Sequence, residues 1–220
     1  ASAERSLNSF TNQSSVNSIS AELDSIWSRI YYHVWWPSPG NDPMYALNPA
    51  LNRTRSEFYA GNFTPHMFTN GFDSGSSLNS WLDDPKKYLN TVSTYEISFQ
   101  GAKSDNTLDF EVTTSNMRNI DDSMDIRLFV ATVMEKVVYP GSFNGMYEHK
   151  NVVIDQLLGN SGKQIQYLAN SNYTDNFNWS MPEAWKNNSE IRWSNSNLKV
   201  VAWIQDFSSK EILQSSEFKF

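Results

Sequence analysis

Apolar residues recur along the chain in two rhythms, and the change from one to the other divides it. In the first ninety-odd positions the spacing alternates between helical and extended. Val16, Ile19, Leu23, Ile26, Trp27 and Ile30 fall at three- and four-residue steps and predict one amphipathic helix starting near Ser15. Ile30-Tyr31-Tyr32-His33-Val34-Trp35-Trp36 is β-branched and aromatic on both faces, so it predicts a strand buried inside a sheet, ended by Pro37 and Pro39. Asp42-Pro43 is a cap followed by proline at the first helical position, and Met44, Leu47, Leu51 and Phe58 carry the apolar face of a helix to about Tyr59. Thr64 to Gly71 predicts a short strand that opens with proline and closes on the Asn70-Gly71 turn pair. Trp81, Leu82, Tyr88, Leu89 and Val92 predict a last helix, kinked or restarted at Pro85. Strands and helices in alternation indicate an α/β layer domain.

Beyond Val92 the period becomes two. Tyr95, Ile97 and Phe99 alternate with polar residues, as do Leu108, Phe110 and Val112, and longer runs follow at 124–138, 149–157, 162–168, 173–179, 198–205 and 211–220. Gly101, Ser104-Asp105-Asn106, Pro140-Gly141, Asn160-Ser161-Gly162 and 206–209 read as turns. Short strands at this spacing without a helical stripe predict an all-β unit, an antiparallel sandwich of immunoglobulin-like or fibronectin-like type. The expected organisation is therefore an α/β unit over residues 1–92 packed against a β-sandwich over residues 93–220.

Composition removes several kinds of chemistry. The 220 residues include no cysteine, which excludes disulfides, thiolate metal sites and a cysteine nucleophile. With 17 Lys and Arg against 24 Asp and Glu the formal charge is −7, a field that repels a phosphate backbone, so nucleic acid is not an expected partner. No stretch approaches the roughly 20 apolar residues that span a bilayer. The opening Ala1-Ser2-Ala3-Glu4-Arg5 has no apolar signal core, so an exported protein would here be in its mature form. Low charge density with abundant Asn, Ser, Trp and Tyr favours an extracytoplasmic or surface protein.

A resemblance enters with particular stretches: Phe10-Thr11-Asn12-Gln13-Ser14-Ser15-Val16-Asn17-Ser18, the segment from Tyr31 through Trp36-Pro37-Ser38-Pro39-Gly40-Asn41-Asp42-Pro43-Met44-Tyr45, and Phe58-Tyr59 to Thr64-Pro65 with Asn70-Gly71. These resemble a thioredoxin-like domain. Together with the tail Leu198 to Gln205 and Lys210 to Gln214, they are similar to a family of bacterial outer-membrane and surface proteins in which such a domain precedes a β-sandwich. The resemblance places Ser15 and Ser18 where redox-active relatives carry Cys-x-x-Cys at a helix N-terminus, whose partial positive charge lowers a thiol pKa. Serine cannot exchange disulfides, so those two positions would be vestigial. Serine is also a common helix cap, and capping alone accounts for Ser14, Ser15 and Ser18 equally well. The resemblance further implies that Thr64-Pro65 is a cis peptide offering its backbone, with His66 beside it, to an extended peptide. A trans proline opening a strand is the plainer alternative.

Other candidates weigh less. His33 reads as a packed core residue, and His66 shares the expected cleft. No two of His33, His66 and His149 have metal-ligand spacing, and neither a cofactor nor a metal is expected. Asp121-Asp122 with Asp125 lacks the glycine and glutamate of a calcium loop. Trp179, Trp185, Trp193 and Trp203 invite a sugar-stacking reading, against which core packing is the default. The triplets at Asn52, Asn62 and Asn178 match the N-glycosylation pattern, as chance would give in so Asn-, Ser- and Thr-rich a chain. The leading expectation is a non-catalytic, redox-inactive protein with a binding or assembly role, its partner a protein, a peptide or another copy of itself. Two alternatives stand beside it: a thiol-disulfide oxidoreductase whose cysteines at positions 15 and 18 have been replaced by serine, and a subunit of a surface layer or filament.

Overall fold

A computed structural model describes residues 27–36, 40–118, 124–143, 145–166 and 169–220. The chain after Val92 forms two antiparallel sheets. Strands β3 (Tyr95–Ser104) and β4 (Thr107–Asn116) make a hairpin that turns at Asp105, whose φ is +51°, and β8 (Ser171–Ser180) pairs with the free side of β4. The second sheet contains β5 (Ile126–Val138), β6 (Glu148–Gln156), β9 (Leu198–Asp206) and β10 (Ile212–Lys219) in the order β10-β9-β5-β6, and short β7 (Lys163–Gln164) lies beside the start of β5. The alternating residues Leu108, Phe110 and Val112 of β4 meet Leu128, Val130, Val200, Ala202 and Ile204 across the interface, with Trp179 and Trp185 filling its end. Gly101, expected at a turn, lies inside β3, where a Cβ would stand 2.4 Å from the Phe110 Cβ; it is a close-approach glycine.

Period-two alternation fails in β5 and β9 for a physical reason. Every residue of β9 is buried, as is 128–134 in β5, because the second sheet is covered on both faces. Phe129, Ala131, Val133, Val153, Val201 and Trp203 point away from the three-stranded sheet, and Leu51, Ile30 and Tyr32 cover them. The Phe129 and Trp203 rings stack at 5.1 Å, 4° from parallel. The described molecule thus has three layers: an N-terminal layer, the larger sheet and the smaller sheet.

The N-terminal layer differs from expectation where it matters. The run 30–36 is not a strand within a sheet of its own. Only Tyr31 pairs, and it pairs with the sandwich: its N–H donates to the Asn151 carbonyl at 2.8 Å and its carbonyl accepts from Val153 N–H at 3.1 Å. The only strands named among the described residues before Val92 are the hairpin β1 (Met67–Thr69) and β2 (Phe72–Gly75). No thioredoxin-type central sheet is formed by these described residues, and the residues before Trp27, including Ser15 and Ser18, lie outside them.

The helix expected over 43–59 is two. The residue before proline disfavours the helical region, so the chain breaks at Asn48 between α1 (Pro43–Leu47) and α2 (Pro49–Phe58). Asn48 caps α2 by accepting from Leu51 N–H at 3.3 Å and donates its amide to the Ile154 carbonyl at 3.2 Å, which pins the break to β6. The last helix breaks at Pro85 as expected but stops short: α3 (Leu78–Asp83) is followed by a 3₁₀ turn over Pro85–Tyr88, and Leu89 and Val92, expected on its apolar face, are exposed beyond it. Asn70 and Gly71 form the β1–β2 turn with φ of +53° and +93°. The tip of that turn docks on the β9–β10 connection, where Ile212 N–H donates to the Asn70 carbonyl at 3.0 Å.

A cavity between the N-terminal layer and the large sheet

Because the segment at 27–36, helix α2, the β1–β2 hairpin and the 85–95 stretch all pack around the same side of β9 and β10, they line a half-open cavity of about 690 Å³. That is within the usual range for a small-ligand site. Trp27, Tyr32, Trp36, Tyr59, Phe63, Phe68, Trp81 and Trp203 supply aromatic wall, and Arg29, Arg55, His66 and Glu211 supply charge or polarity.

Arg55 is the least expected of these. It lies four residues after Leu51 and three before Phe58, on the stripe that α2 turns toward the sheet, and it is only 2% exposed. Its guanidinium carbon is 4.8 Å from the Phe58 ring centroid, 4.9 Å from Phe129, 5.0 Å from Tyr59, 5.7 Å from Trp203 and 5.8 Å from Tyr32. Nη2 donates to Tyr59 Oη at 3.2 Å, whereas Nε and Nη1 have no hydrogen-bond partner, and no carboxylate pairs with the group among the described residues. Ring faces offset part of the cost of desolvating a cation, which is how a buried guanidinium can persist without an anion. Tyr59 Oη also accepts from Gln205 Nε2 at 2.8 Å. Burial pushes the Tyr32 phenol up to about 12, against the opposing pull of Arg55, so it stays protonated at neutral pH.

Of the residues expected to form a peptide groove, His66 lines the same cavity, whereas Thr64 and Pro65 are not on its wall. The Thr64-Pro65 peptide bond is cis. Pro65 and His66 are buried, Thr64 is half-buried, and the His66 ring stacks on Phe63 at 3.9 Å and lies 4.3 Å from Phe68. His66 Nε2 is 2.8 Å from Asp73 Oδ1; this bond, with a second from Gly75 N–H, holds the Asp73 carboxyl below its usual range.

The remaining candidates resolve as structural. His33, Asp42 and His149 are almost fully buried, and none of the three lines the cavity. His33 Nδ1 is 2.6 Å from Asp42 Oδ2, its backbone N–H donates to Asn52 Oδ1 at 2.8 Å, and its ring lies 5.4 Å from that of His149 on β6. This cluster joins the 30–36 segment to both helices and to the sandwich. Burial of Asp42 alone would raise its pKa, but the His33 ring and the Tyr45 N–H outweigh it and hold the carboxyl low. Burial, reinforced by His33, pushes His149 down to about 4. Asn52 is buried and occupied by His33, so that glycosylation triplet is closed. Asp125 is paired twice with Arg127, at 2.6 and 3.0 Å, while Asp121 and Asp122 lie outside the described residues. Trp179 and Trp185 are buried in the sandwich core, and Trp203, also buried, lies on the cavity wall. No group of three metal-ligating side chains occurs among the described residues. No helix of the described residues is long and apolar enough to cross a membrane.

The pattern of the sequence passed over Arg55. The signal was present as a cation on the apolar stripe of a short helix, at a position where solvent-facing charge does not belong.

No family model matches the chain, and no curated protein matches it. Among solved structures, a domain of the outer membrane lipoprotein Omp28 from Porphyromonas gingivalis is similar over 59% of this chain and 89% of that one, with a TM-score of 0.40 at 12% identity. A β-glucosidase from Kluyveromyces marxianus is similar over 58% of this chain, with a TM-score of 0.27 at 12% identity, and one from Listeria innocua over 86%, with a TM-score of 0.30 at 11% identity. The chain spans only 14% and 22% of those two enzymes, and at such scores none of the three likenesses fixes a function.

Proposed function

We propose that this chain is a non-catalytic, redox-inactive extracytoplasmic or cell-surface protein that works by holding a ligand, an extended peptide or a small apolar molecule, in the cavity beside Thr64-Pro65-His66. The observation that carries this reading is the cavity itself, about 690 Å³, lined by aromatic, aliphatic and polar side chains and shared between the N-terminal layer and the large sheet. Apolar walls with a few convergent polar groups are what ligand sites are built from. A chain without cysteine has no thiol to exchange, which supports the redox-inactive part.

The finer assignment belongs to the same proposal: residues 1–92 as a thioredoxin-like unit, residues 93–220 as an immunoglobulin-like sandwich, and association with an outer membrane or cell surface. The sequence resemblance supports the first, the two facing antiparallel sheets support the second, and composition with the resemblance supports the third. Isothermal titration of the whole chain with a short, blocked, uncharged peptide rich in Leu and Phe tests the binding role. Saturable binding that is weakened by His66→Ala is expected; no binding, or binding indifferent to that change, contradicts it. The thioredoxin-like assignment has a separate test. A spin label on Ser15→Cys should broaden the His66 ring resonances strongly, and unbroadened His66 signals would remove that assignment.

A further inference from the structure

Resting on the reading of the cavity as a binding site, we infer that its ligand carries a carboxylate on an apolar body, seated against Arg55 and Tyr59. The argument is an imbalance of donors and acceptors at one place. Arg55 is a cation with no counter-charge among the described residues, and its Nε and Nη1 lack acceptors. The indole N–H groups of Trp27 and Trp36, on the same cavity, are buried and also lack acceptors. Tyr59 Oη already accepts two hydrogen bonds, from Arg55 Nη2 and Gln205 Nε2. A phenol oxygen so occupied has only its own proton left to offer, and Tyr59 is half-buried on the cavity wall.

Arg55, Trp27, Trp36 and Tyr59 on this wall therefore carry donors without acceptors, those of Arg55, Trp27 and Trp36 covered by their neighbours, while Glu211 is a carboxylate on the same wall. Elsewhere among the described residues, Arg127 pairs with Asp125 and the buried Lys199 with Glu217. The Arg55 guanidinium carbon sits over the Phe58 and Phe129 rings, and its hydrogen-bonding edges demand an acceptor that aromatic carbon cannot supply. A carboxylate answers both demands, charge and acceptor, and the aromatic wall takes the apolar remainder. Reaching Nε and Nη1 requires the covering rings to shift, whereas the Tyr59 proton and the field of the buried cation meet the ligand directly. A neutral apolar ligand would leave the Tyr59 proton unsatisfied and the buried cation without a counter-charge, costs that a carboxylate removes.

Two sources share this chemistry, the carboxy-terminus of a peptide and a free small carboxylic acid. Both are tested on the full chain at neutral pH by calorimetric titration with matched pairs: the Leu- and Phe-rich peptide with a free or an amidated carboxy-terminus, and 3-phenylpropionate against 3-phenylpropanamide. We expect the acid to bind at least about tenfold more tightly than its amide in one pair, and that pair names the source. Arg55→Met should abolish the preference. If that variant does not fold, Tyr59→Phe, which removes only the hydroxyl, should shrink it several-fold. Equal affinities for acid and amide in both pairs overturn the inference and leave the binding cavity standing. No binding by any of the four probes overturns both.

Discussion

At the scale of single residues, the molecule shows how burial fixes charge state. His149 is held neutral by desolvation, with its pKa pushed from the ordinary 6.5 down to about 4. An unfolded chain takes up a proton between those values that the folded chain refuses. The native state therefore loses stability as pH falls through that window, by up to about 3 kcal/mol, and this residue contributes no pH dependence above it. Urea midpoints at pH 7 and pH 4.5 check this: His149→Phe should flatten the difference, and an unchanged slope would place the titration elsewhere. Gly71 makes a second residue-scale prediction. Its φ is +93°, and a Cβ there would meet the Lys210 carbonyl oxygen at 1.7 Å, so Gly71→Ala must distort both the hairpin and its docking site. A loss of at least about 1–3 kcal/mol in urea unfolding is expected; a neutral effect would mean the tip is not seated on the β9–β10 connection.

At the scale of elements, what the sequence made legible follows from how many faces each element buries. Strands of the smaller sheet bury one face, so Tyr95, Ile97, Phe99 and then Leu108, Phe110, Val112 alternate cleanly and their positions could be read directly. The run 30–36 lies beside β6 through one parallel bridge, with His33 and Val34 buried and the rest half-buried, and an aromatic run looks the same whether its neighbours are strands of its own sheet or the outside of another. No local pattern separates those cases. Helix α2 was legible as a helix, but its partner was not, and Arg55 was hidden because a cation on an apolar stripe is read as noise until the rings around it are seen. Ser15 and Ser18 lie outside the described residues. Asn48, by contrast, carries a checkable role as the joint between α1 and α2. Asn48→Ala removes the cap and the tie to Ile154, and should cost about 1–2 kcal/mol by urea unfolding; no loss would mean the joint is held by Pro49 alone.

At the scale of the whole molecule, the large sheet is the shared middle layer, and this sets how the parts unfold and where a ligand fits. Leu51 is buried against Phe129, Ala131 and Val201, on the face opposite the sandwich core. If that outer layer is integral, Leu51→Ala should destabilise by about 2–5 kcal/mol, as a core truncation does. Tryptophan fluorescence and far-ultraviolet circular dichroism should then report one coincident unfolding transition. The cavity is a product of the same arrangement, since its walls come from both the outer layer and β9–β10. Indole N–H resonances give the most direct reading of that claim, because the tryptophans divide by place. On adding a saturating apolar ligand, Trp27, Trp36, Trp81 and Trp203 should shift, while Trp179 and Trp185 in the sandwich core stay where they are. Shifts confined to the core tryptophans, or none at all, would contradict a ligand site between these layers.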